Sequence, residues 1–165
     1  MSKNAPAARP VILPRNCRIA IIAARFNENL VERLLAGCLH RLIERGIARN
    51  RIDVYRVPGA FEIPLAAQRA ARTGKYAAVI CLGAVVRGQT PHFDFVAGQC
   101  AAGISRVALD ESLPVIFGVL TTNTIKQATD RLGGSHGHTG RSAADAAIEM
   151  IGRPQPAAKR AERRK

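Results

Sequence analysis

Four short runs rich in isoleucine and valine, separated by longer amphipathic stretches, restrict this chain more than any other feature. They are "CRIAIIA" (residues 17–23), "IDVYRV" (52–57), "AAVICL" (77–82) and "PVIFGVL" (114–120). Each is mostly apolar on both faces, as expected of parallel strands buried in the middle of a sheet. Between the first two, Leu30, Leu34, Leu35, Cys38, Leu39, Leu42 and Ile43 recur on one helical face, with Glu32, Arg33, Arg41 and Arg45 elsewhere. Asn29 and Glu32 have capping-box spacing at the start of that helix, and Gly46 suits its end. Further helices are expected over residues 64–73, 91–108, 124–132 and 142–151.

Repeated strand–helix order requires right-handed crossovers and a sheet covered on both faces. The expected fold is therefore α/β: a flavodoxin-like, three-layer α-β-α sandwich around a central, mainly parallel four-stranded sheet. A length of 165 residues with 47% hydrophobic content supplies one substantial core. A single domain is expected over residues 17–152, after a proline-punctuated lead-in (1–16) and before a tail (153–165) with six basic residues against Glu162. That tail carries part of the formal charge of +13, and its Pro, Ala and charge content is that of a disordered arm. Such an arm fits two roles, solubility or binding to an anionic partner such as nucleic acid. No secretory signal pattern and no membrane-length apolar run is evident, so a cytoplasmic protein is expected. Cys17, Cys38, Cys81 and Cys100 have no C-x-x-C spacing and sit in apolar contexts, as buried reduced thiols do.

Ligands of parallel α/β sheets bind beyond the carboxyl ends of the strands. Four loops lie there: "ARFNEN", "PGAFEIP", "GAVVRGQTP" and "TTNT". Thr90 and Pro91 form an N-cap and N1 pair that would place His92 in a helix's first turn, where free N–H groups suit a phosphate or carboxylate. His92 then fits either a general acid–base or a histidine that hydrogen-bonds its own cap region. Asp94, two residues on, would not face it. Phe26 fits a stacking platform for a flat ring or a core residue. Glu62 fits a hydrogen-bond acceptor for a ligand or an acidic complement to the helix at Pro64. Arg131 fits a phosphate ligand or a solvated charge at a helix end.

Five stretches in this order, "ARFNENL", "VPGAFEIPLAA", "GAVVRGQTPHFDFV", "PVIFGVLTTNTIKQA" and "GHTGRSAADAAIEM", closely resemble the successive motifs of the lumazine synthase family. The resemblance implies a transferase of riboflavin biosynthesis. It would condense 5-amino-6-(D-ribitylamino)uracil with 3,4-dihydroxy-2-butanone 4-phosphate to give 6,7-dimethyl-8-ribityllumazine, phosphate and water, using neither cofactor nor metal. Carried over by motif, Phe26 would stack on the pyrimidine, and Ala60, Phe61 and Glu62 with Ala84, Val85 and Val86 would line the ring and ribityl pocket. Gln89 and Thr90 would bind phosphate and His92 would transfer protons. Phe117 and Arg131 would reach the site from a neighbouring subunit, which implies a homopentamer. Some family members build sixty-subunit icosahedral shells, and "RLGGSHGHTG" is as short as the corresponding link in those.

One departure stands out. Where the family commonly has lysine in G-N-K-G, this chain has His138 and Thr139 in "GHTG". A non-catalytic lumazine- or flavin-binding protein on the same scaffold is the alternative reading.

Overall fold

A computed structural model describes residues 11–14 and 16–152. Four parallel strands, β1 (Ile19–Ala24), β2 (Ile52–Val57), β3 (Ala78–Val86) and β4 (Val115–Thr122), form one sheet in the order β2-β1-β3-β4. In register, Ile21 lies beside Val54 and Ile80, and Ile80 beside Ile116. Side chains alternate between two cores. Ile19, Ile21 and Ala23 face one core, whereas Ala20, Ile22 and Ala24 face the other. Helices α1 (Glu28–Glu44) and α5 (Thr139–Gly152) cover the first face with Leu34, Leu42 and Ile148. Helices α2 (Ile63–Arg72) and α3 (His92–Asp110) cover the second with Ile63, Cys100 and Ile104. This is the expected three-layer sandwich. Among the described residues no helix is long and apolar enough to cross a membrane. The tail and residues 1–10 and 15 of the lead-in lie outside the described residues.

Several local expectations are corrected. The chain enters α1 through Asn27, in the left-handed conformation (φ 59°, ψ 43°), so Asn29 and Glu32 fall inside the helix and form no capping box. Strand β3 continues four residues past its apolar run, because β4 runs beside it as far as the Val86–Thr122 pair. Edge strands β2 and β4 are not buried on both faces; Tyr55 and Phe117 are exposed. The helix expected over residues 124–132 shortens to α4 (Ile125–Thr129), capped by the Thr124 hydroxyl accepting from the Gln127 N–H (3.1 Å). Leu132 instead begins a small antiparallel hairpin of β5 (Leu132–Gly134) and β6 (Gly137–His138). Gly133 and Gly137 take positive φ there (104° and 71°), which glycine adopts without a Cβ penalty. Helix α5 begins three residues earlier than expected. It approaches α1 so closely that a Cβ on Gly140 would run into the Leu34 carbonyl oxygen.

All four cysteines are buried free thiols, and burial raises the Cys38 thiol to about 12 and that of Cys100 to about 11. At the starting ends of the strands, Arg18 donates twice to Asp53 (3.0 and 2.8 Å). The Tyr76 hydroxyl donates to the same carboxylate (2.9 Å) and meets the Tyr55 hydroxyl at 2.6 Å. Arg18 chiefly, and then Tyr76, hold the Asp53 carboxyl below its ordinary value. Tyr76→Phe should therefore lower unfolding stability by about 1.5–3 kcal/mol, as expected for losing a hydrogen bond to a charged acceptor. Urea denaturation measures this, and an unchanged midpoint would deny the network a stabilising role.

Candidate functional site

At the carboxyl ends of β1, β2 and β3 the loops enclose a cleft of about 610 Å³. Its construction begins where the sheet stops. The Arg25 and Phe26 N–H groups donate to the carbonyls of Val57 and Pro58 (2.8 and 3.0 Å), so the ends of β1 and β2 are stitched together. The left-handed Asn27 then turns the chain into α1, while its side-chain amide donates to the Ala84 carbonyl on β3 (2.8 Å). Phe26 is left on the rim with 71% of its surface exposed, which overturns its reading as a core residue.

After β2, residues 60–62 form a tight helical turn in which Ala60 is buried and Phe61 exposed. Glu62 accepts from the Gly59 N–H (2.8 Å) and stands at the cap of α2. One carboxylate oxygen thus fixes the turn, and the other has lone pairs to offer a ligand. Ala84, Val85 and Val86, at the end of β3, form the apolar floor.

The third wall is the start of α3. Pro91, not Thr90, occupies its cap, and no side chain bonds the cap, so His92 is the first helical residue and Thr90 lies one position further out. Thr90 and His92 both line the cleft and both are exposed. Among the described residues, no carbonyl accepts from the N–H groups of Gly88, Gln89 or Thr90. Unpaired N–H groups leading into a helix start make a place for an anion. Asp94 turns from the cleft and receives two hydrogen bonds from Arg87 (3.0 and 2.7 Å).

The fold brings Phe26, Ala60, Phe61, Glu62, Ala84, Val85, Val86, Thr90 and His92 into one cleft, with Gln89 in the adjoining loop but not in the lining. It leaves Phe117 and Arg131 outside. Phe117 is 42% exposed on edge strand β4. Arg131 follows α4 and donates to the Gln127 carbonyl (2.8 Å). Thr139 lies beside it, its N–H donating to the Arg131 carbonyl (2.9 Å). Arg141 is held elsewhere, donating to Glu44 (2.7 Å) and approaching the His40 ring nitrogen (3.0 Å) on α1. Reasoning from sequence missed Asn27, Gly59, Phe93, Phe95 and Val96 in the lining. The signal for two of them was present in "HFDF", apolar side chains in a first helical turn that opens on a loop; Val96, a turn further, packs against the core as well.

The cleft can take a flat ring against Phe26, hydrogen-bond it at Glu62, and hold an anion near His92. Comparison with known proteins agrees with this chemistry. A family model described as 6,7-dimethyl-8-ribityllumazine synthase matches residues 16–155. A protein of that name from Protochlamydia amoebophila (strain UWE25) is 53% identical over 134 residues, covering 81% of this chain and 78% of that protein. Another from Desulfatibacillum aliphaticivorans is 52% identical over 134 residues, covering 81% and 86%. Motifs, fold and overall similarity coincide, and the chain belongs to the 6,7-dimethyl-8-ribityllumazine synthase family.

Proposed function

We propose that the chain is a transferase of riboflavin biosynthesis that condenses 5-amino-6-(D-ribitylamino)uracil with 3,4-dihydroxy-2-butanone 4-phosphate into 6,7-dimethyl-8-ribityllumazine. The observation that carries this reading is one cleft joining an exposed aromatic rim, an apolar floor and a helix start bearing His92. The pyrimidine stacks on Phe26 and packs over Ala84, Val85 and Val86, with residues 60–62 around its polar edge. The phosphate sits against the N–H groups of Gln89 and Thr90. The uracil's 5-amino group attacks the ketone and loses water to form a Schiff base; phosphate is eliminated, and the second amine closes the ring with loss of water. Each step moves a proton, and His92 moves it. Holding two small reactants together supplies much of the remaining acceleration. The sequence of steps balances without an external cofactor or metal.

In this reading Phe117 and Arg131 complete the cleft of the next copy, which fits the exposure of Phe117 and the absence of both from the lining of their own cleft. The working unit is a cytoplasmic homopentamer, free or built into a sixty-subunit shell. Residues 17–152 act as its single domain, and the basic tail serves solubility or an anionic partner. Native mass measurement should give pentamers or their multiples; a fully active monomer would refute the shared site. The reading as a whole is tested by supplying both reactants and following the lumazine absorbance. Product formation supports it, whereas tight ring binding without turnover would favour the non-catalytic alternative.

A further inference from the structure

Residues 87–92 are all exposed, and a Cβ built on Gly88 would meet nothing within 4 Å. Packing therefore does not hold the loop that carries the unpaired N–H groups and His92. What ties it is Arg87. Its backbone N–H donates to the Thr122 carbonyl (2.9 Å), which pins the loop's first residue to the end of β4. Its guanidinium then spans the loop and grips the first turn of α3 through both oxygens of Asp94 (3.0 and 2.7 Å). A third nitrogen donates to the Asn123 side-chain oxygen (3.1 Å), and Asn123 is itself fixed by its N–H donating to the Gln127 side chain (2.9 Å). The guanidinium carbon stands 4.2 Å from the centroid of the Phe93 ring, next to His92.

We propose that Arg87 is a positioning residue, closing residues 88–92 into a fixed loop so that the phosphate-binding N–H groups and the His92 imidazole meet the same reactant. This rests on the function proposed above. Planar, two-toothed pairing combined with stacking is a geometry that guanidinium achieves and ammonium does not. Pairing also occupies Asp94, keeping a free carboxylate away from an incoming phosphate. An exposed ion pair adds little to overall stability, so removing it should leave the fold intact.

The test compares wild type, Arg87→Met and Arg87→Lys in three measurements: affinity for inorganic phosphate, affinity for the aminouracil reactant, and steady-state kinetics. Both variants should bind inorganic phosphate about tenfold more weakly and raise KM for the butanone phosphate similarly, while aminouracil affinity stays within about twofold. Lysine should not rescue. Unchanged phosphate affinity in Arg87→Met would overturn the proposal, as would an equal fall in both affinities together with a lower unfolding temperature. If wild type binds both reactants yet forms no lumazine, the catalytic reading fails, and the phosphate comparison still decides the role of Arg87.

Discussion

His92→Ala should lower the turnover number by about a hundredfold or more while leaving affinity for the aminouracil nearly unchanged, since a positioned general acid–base is typically worth that much. The split follows from where the residue sits. His92 opens α3, whereas Phe26, residues 60–62 and the end of β3 line the cleft from other elements. Losing the imidazole removes a proton carrier and leaves the ring platform standing. Asp94, two residues on, is not free to stand in, because both its oxygens are taken by Arg87. Steady-state kinetics with a parallel binding titration check this. Unchanged turnover in the alanine variant would remove His92 from the chemistry, and a matching loss of ring affinity would make its role one of binding.

Thr139→Lys should raise kcat/KM for the butanone phosphate about tenfold. A charge-assisted hydrogen bond is worth about 1.5–3 kcal/mol, and the position beside Arg131 bears a neutral hydroxyl here. Arg141, two residues on, is a cation close enough in sequence to suggest itself as a substitute. Its guanidinium is instead committed to Glu44 and His40 across the α1–α5 contact. Arg141→Ala should therefore leave phosphate-substrate kinetics within about twofold of wild type, its cost falling on helix packing. The opposite pair of results, no gain from the lysine and impaired kinetics from the alanine, would show that Arg141 does supply the missing charge.

Much of this was legible before any coordinates. Alternating apolar runs specify parallel strands because a doubly covered sheet has no polar face, and "IDVYRV" becomes β2 residue for residue. That argument weakens at the sheet's edges, where Tyr55 and Phe117 are exposed although their runs look like buried ones. The β5–β6 hairpin was not legible, because it depends on Gly133 and Gly137 adopting positive φ within a glycine-rich segment that composition reads as a link. Asn27 escaped for a related reason: its left-handed turn and its bond to Ala84 bring together residues far apart in sequence. Within the cleft, local signals placed His92 at a helix start but misjudged the cap by one residue. The Arg87–Asp94 grip was invisible, since the loop must fold back before residues seven apart can meet. Arg141 shows the reverse case, a cation whose position suggests the phosphate and whose partners lie on another helix.

A cleft that joins the two reactants and expels phosphate must release lumazine and phosphate together. Measuring both products in a single reaction of the wild-type chain checks this: they should appear mole for mole when both reactants are present, and neither should appear with either reactant alone. Phosphate released without lumazine, or ring binding with no release of phosphate, would contradict it.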